Sequence, residues 1–167
     1  MSDQLILWVH LLSLAVYFGS GVTLVVVLLP LAAQFSGARE KQRFLAQALK
    51  VYNPLSIGAL GVVIMTGAFN LTSYKAAFPG LQFFSLLGGV LGLKLLLVFV
   101  LIIISAAVSL GMGHRVVRTE VRGEEIDPDR LARLVTRIEV FTILALLLTA
   151  WIVWVSLNLT RIARLPG

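Results

Sequence analysis

The sequence predicts an all-α protein, a four-helix bundle integral to a membrane with both termini extracytoplasmic, and three observations carry that expectation. First, 59% of the 167 residues are hydrophobic and only 13% charged, with a mean hydropathy of +0.97, a composition outside the range of soluble domains. Second, apolar stretches at 5–31, 55–71, 81–110 and 140–159 each approach or exceed the roughly 20 residues that span a bilayer. Third, the basic residues are lopsided. The first connection carries Arg39, Lys41, Arg43 and Lys50, and the third carries Arg115, Arg118, Arg122, Arg130, Arg133 and Arg137. The opposite side has only Lys75, Arg161 and Arg164, so the positive-inside rule turns both termini outward. With their flanks, the helices are expected at about 5–31, 37–73, 81–114 and 128–161, forming a single transmembrane domain over residues 1–167 of a multi-pass inner-membrane protein.

The first helix follows Met1-Ser2-Asp3-Gln4 with no basic side chain, and its apolar run exceeds a signal-peptide core, so it reads as a permanent span. It carries His10, Ser13, Tyr17 and Ser20 at spacings of three, four and three, which place them on one face. Pro30 falls near its end. In the first connection, Ser36 is expected to cap a helix running through Arg39 to Tyr52. Asn53-Pro54 then predicts a kink where the second helix enters the membrane.

Ser56, Thr66 and Asn70 form the polar stripe of the second helix, and Thr142, Thr149 and Ser156 that of the fourth. In lipid such stripes turn inward toward one another. The third helix offers Gly88, Gly89 and Gly92, small residues that let helices approach closely, and Lys94 within its span. Asp127-Pro128 supplies a capping oxygen and a first-turn proline for the fourth helix. Arg130, Arg133 and Arg137 recur on its face beside anionic headgroups, and Glu124, Glu125, Asp127 and Asp129 are expected to pair with them. Trp8, Tyr74, Trp151 and Trp154 cluster near the outward ends as an interfacial belt. Asn70-Leu71-Thr72 and Asn158-Leu159-Thr160 end their helices alike, too short a match to count as a repeat.

With no cysteine, thiolate metal sites are excluded, and a metal must use His, Met, carboxylate or amine ligands. The net charge of +6 lies in membrane-flanking connections, so the bilayer rather than nucleic acid is the expected partner. His10 is the only histidine inside an apolar stretch, and an imidazole held in lipid is a functional candidate, here as a metal ligand. Lys94 is the second such group. Both helices start from the same side, and the two depths differ by roughly 6 to 12 Å at 1.5 Å per residue. Side chains lean toward the helix N-terminus, so Lys94 reaches toward His10 and a shared pocket in the outer half is expected. The plainer alternative has Lys94 reaching water and His10 bonded to a neighbouring helix. His114 lies at the far end of the third helix, which rules out a bis-histidine site within one subunit.

The run His10-Leu11-Leu12-Ser13-Leu14-Ala15-Val16-Tyr17-Phe18-Gly19 resembles the histidine and aromatic-glycine signature of the first helix in HemJ-type protoporphyrinogen oxidases and the related copper-resistance D (CopD-like) membrane proteins. Leu29-Pro30-Leu31 is similar to the Leu-Pro closing that helix, Leu93-Lys94-Leu95 to the lysine of the third, and Arg137-Ile138-Glu139 to the acidic start of the fourth. The chain departs from the pattern at Leu31, where a basic residue follows the Leu-Pro, at Tyr17, where the family has Trp, and before Lys94, which no Trp precedes. The resemblance implies haem b or another tetrapyrrole held by His10 and a basic residue, with Lys94, Tyr17 and Ser13 beside it. It also implies an oxidoreductase that oxidises a porphyrinogen or transfers electrons in the membrane. Copper transport, inherited from the CopD-like relatives, is the second class of function. A cofactor-free accessory subunit is the third, and a homo-oligomer or a place in a larger membrane complex is expected.

Overall fold

The computed structural model describes residues 3–77 and 89–162, and among these the regular elements are all helices. The first spanning helix comprises α1 (Asp3–Thr23), a π-helical stretch (Leu24–Leu28) and α2 (Leu29–Ala33). The second is α3 (Ala38–Ala77). The third comprises α4 (Val90–Ala106), a second π-helical stretch (Ala107–Gly113) and α5 (His114–Val121). The fourth is α6 (Pro128–Ile162). Four segments, Gln4–Ala33, Ala38–Phe69, Leu91–Val121 and Pro128–Leu157, are long and apolar enough to cross a membrane. The protein is an integral membrane four-helix bundle.

The first helix packs chiefly on the second, and α4 chiefly on α6. The core divides along the bundle axis. Leu24, Leu45, Leu49, Val116, Leu131 and Ile138 fill the half next to the two basic connections, here the connection end. Tyr17, Leu60, Leu97, Leu101, Ala145 and Ile152 fill the half next to the termini. Large apolar side chains such as Leu12, Val26, Phe99, Leu147 and Trp154 face outward, as a bilayer solvent requires. The polar stripes do turn inward: Ser56, Thr66, Thr142 and Thr149 are buried. The side chains of Asn70, Tyr74, Lys75, Asn158, Thr160, Arg161 and Arg164 lie outside the described residues, as does Gly88.

The two π-helical stretches are departures that apolar periodicity gave no sign of. Leu29 N–H reaches back five residues to the Leu24 carbonyl, directly ahead of Pro30, which has no N–H of its own. His114 N–H likewise reaches the Ser109 carbonyl. Pro54 lies inside α3, which continues on both sides of it from Ala38 to Ala77. The Asn53 amide lies against Gly113 at the end of the second π-helical stretch. A Cβ on Gly113 would stand 2.7 Å from Asn53 Oδ1 and 3.1 Å from the Val108 carbonyl oxygen. Gly113→Ala is therefore expected to lower stability by about 1–3 kcal/mol through overpacking, seen as an earlier melt in detergent.

At the connection end, α3 begins at Ala38, with Lys41 N–H bonded to the Gly37 carbonyl at 3.0 Å, and Ser36 makes no capping bond among the described residues. Asp127 does cap the fourth helix, its Oδ2 accepting from Arg130 N–H at 3.0 Å, with Pro128 next in line. The third helix closes on Gly123 at φ +72°, with Glu124 N–H bonded to Thr119 and Gly123 N–H to Glu120. The expected acidic-to-basic pairing is not formed: among the described residues the ion pair present is Arg43 with Glu120 at 3.9 Å. The connection is held instead by Gln42. Its fully buried amide donates to Glu120 and to the Glu124 carbonyl and accepts from Ile126 N–H.

Candidate functional site

His10 sits two turns into the first helix and faces the second. Its Nδ1 lies 2.7 Å from Thr66 Oγ1, and its Cε1 lies 3.8 Å from where a Cβ on Gly67 would stand. A Cβ there would make only ordinary van der Waals contact, so the ring lies close against α3 at Gly67. The tautomer follows from the network. Thr66 Oγ1 is 2.7 Å from the Val62 carbonyl and 3.1 Å from that of Val63, and carbonyls only accept, so the Thr66 proton is directed there. The hydroxyl oxygen then accepts from His10 Nδ1–H. That leaves Nε2 as the nitrogen bearing the lone pair, the form in which imidazole ligates a metal.

Lys94 stands one turn into α4 and is half-buried. It makes no hydrogen bond or ion pair among the described residues. The two ionisable groups singled out from the sequence both stand in the half of the bundle next to the termini. His114 is exposed at the start of α5, far along the third helix from Lys94.

Tyr17 and Ser13 share the His10 face but play different parts. Tyr17 is 5% exposed, and its hydroxyl lies 2.6 Å from Ser105 Oγ. Ser105 donates to the Leu101 carbonyl at 2.7 Å, so Tyr17 is the donor in the pair, tying the first helix to the third. Ser13, between them, is half-buried, and its hydroxyl has no hydrogen bond among the described residues. One face of the first helix therefore contacts two partners, α3 through His10 and α4 through Tyr17.

Three polar residues that the sequence stripes did not include prove central. Ser105 anchors Tyr17, Tyr52 places its buried hydroxyl between Ser56 and Thr142, and Gln42 fastens the connection. Ser105 lies in a long apolar stretch where a single hydroxyl gives no periodic signal, and Tyr52 lies just ahead of one, at the end of the basic connection. Most other hydroxyls in the spans bond within their own helix, as Thr142 to Ile138, Thr149 to Ala145 and Ser156 to Ile152. The interhelical polar contacts are few and specific.

No group of three or more His, Asp or Glu able to hold a metal occurs among the described residues. Two cavities, lined by residues from Ala107 to Phe141, lie at the connection end and not beside His10. The chain matches no family model, no curated protein and no solved structure.

Proposed function

We propose that this is a haem b- or tetrapyrrole-binding redox protein of the inner membrane, similar to the HemJ-type and CopD-like proteins, with both termini extracytoplasmic. The observation that carries the reading is the His10 ring, fixed by Thr66 with Nε2 as its lone-pair nitrogen, in the same half of the bundle as Lys94. A porphyrin brings four nitrogen donors, so one imidazole suffices where no three-residue metal cluster exists among the described residues. That favours haem over copper, which in a cysteine-free chain would need several imidazole or thioether ligands.

Haem b supplies a one-electron couple suited to electron transfer or to oxidation of a porphyrinogen feeding the membrane electron-transfer chain. The chain's own residues do the rest. Thr66 holds the His10 proton on Nδ1 and fixes the ring plane. Lys94 offers a cation to a propionate or an amine to the iron. Tyr17, bonded to Ser105, ties together the first and third helices, which carry the two groups. A homo-oligomer or a larger membrane complex would complete the path for electrons.

The test is the visible spectrum of detergent-purified protein from haem-replete cells, oxidised and dithionite-reduced. A Soret band with reducible α and β bands is expected, and Lys94→Ala is expected to shift the bands or weaken haem retention several-fold. A protein that stays colourless through a haemin titration would overturn the reading. It would leave the cofactor-free accessory subunit in its place, for which the His10–Thr66 contact is simply a helix tie.

A further inference from the structure

At the connection end, on the side of the bundle formed by the third and fourth helices, a cavity of about 570 Å³ is lined by Ala107, Gly111, Met112, Leu134 and Phe141, with Arg115 and Arg137. Its apolar wall is set by the second π-helical stretch. Ala107 and Gly111 are exposed, and a Cβ on Gly111 would meet open space, so the third helix presents a slot rather than a ridge. Phe141 and Leu134 form the facing wall on α6. Arg115 and Arg137 close the side toward the basic connection. Both are exposed, and neither makes an ion pair among the described residues, although three carboxylates, Glu124, Glu125 and Asp127, lie on the adjoining connection.

We infer that this groove binds an acidic phospholipid, its phosphate between Arg115 and Arg137 and its upper acyl chain against Gly111, Met112 and Phe141. The charges decide the headgroup. Guanidinium forks match phosphate oxygens, and two unpaired ones beside apolar side chains are placed where a headgroup meets hydrocarbon. The wall decides the source of the phosphate: five of the seven lining residues are apolar or glycine, so an anion without a chain leaves most of the groove unfilled. The inference stands apart from the His10 site, which lies at the other end of the bundle.

The test is native mass spectrometry of the full chain titrated with phosphatidylglycerol or phosphatidylcholine of identical acyl chains. Phosphatidylglycerol is expected to be retained about tenfold more, since each basic side chain at a membrane surface adds measurably to anionic-lipid affinity. Arg115→Gln with Arg137→Gln is expected to abolish the preference, whereas Arg133→Gln, outside the groove, preserves it. Gly111→Leu fills the slot without changing charge and is expected to lower retention of phosphatidylglycerol while the protein melts as wild type. Glycerol 3-phosphate, a headgroup with no chains, is expected not to displace the lipid. Equal retention of the two lipids, a preference that survives the double arginine variant, or displacement by glycerol 3-phosphate would overturn the inference.

Discussion

Gln42→Leu is expected to destabilise the protein by about 3 kcal/mol, because the change strands a buried backbone donor and removes a buried amide from three partners at once. Gln42 is fully buried, accepts from Ile126 N–H at 2.8 Å and donates to the Glu124 carbonyl at 2.9 Å and Glu120 at 3.0 Å. Leucine fills nearly the same volume, so the effect reports lost hydrogen bonds rather than a cavity. The buried Ile126 N–H would have no replacement acceptor. The six residues from Arg122 to Asp127 would lose their tie to α3, with the Arg39 contacts to the Gly123 carbonyl, at 3.3 and 3.4 Å, left to hold it. Thermal melts in detergent, with limited proteolysis of the connection, measure this. A variant melting with wild type and uncut between Arg122 and Asp127 would show that the connection is held otherwise.

Thr66→Val is expected to weaken haemin binding by tenfold or more, the usual consequence of removing the hydrogen-bond partner of a ligating imidazole. Valine keeps the β-branched shape, so the packing of α3 changes little, while the 2.7 Å contact to His10 Nδ1 is lost. The ring is then free to rotate, and either nitrogen can carry the proton. Thr66→Ser keeps the hydroxyl and is expected to bind haemin nearly as wild type. Spectrophotometric haemin titrations of the three proteins compare them. Equal affinities in wild type and Thr66→Val would separate the Thr66 contact from any cofactor role.

The four spans, the inward polar stripes and the Asp127-Pro128 start were legible because each rests on local chemistry. Hydropathy is a property of one segment, helical spacing of one face, and a cap of four consecutive residues. The π-helical stretches were hidden because one extra residue per turn shifts an apolar face without changing its composition. His10 and Lys94 stood out as costly groups in lipid, and depth arithmetic put them at compatible levels. Their partners did not stand out, because Thr66 bonds His10 across 56 positions and Ser105 bonds Tyr17 across 88. Only the packing of the first helix on α3 and α4 selects those pairs. The acidic cluster shows the reverse error: proximity in sequence suggested ion pairs, but Gln42 and backbone groups hold the connection while the charges stay in water.

The most direct measurement is a haemin titration of wild type beside His10→Gly, repeated with millimolar imidazole. Wild type is expected to give a saturating, reducible Soret band. His10→Gly is expected to lose it while remaining folded, and added imidazole is expected to restore it by occupying the vacated space against Gly67. A His10→Gly protein that binds haemin as wild type does, or a wild type that never acquires the band, would contradict the assignment of His10 as the ligand.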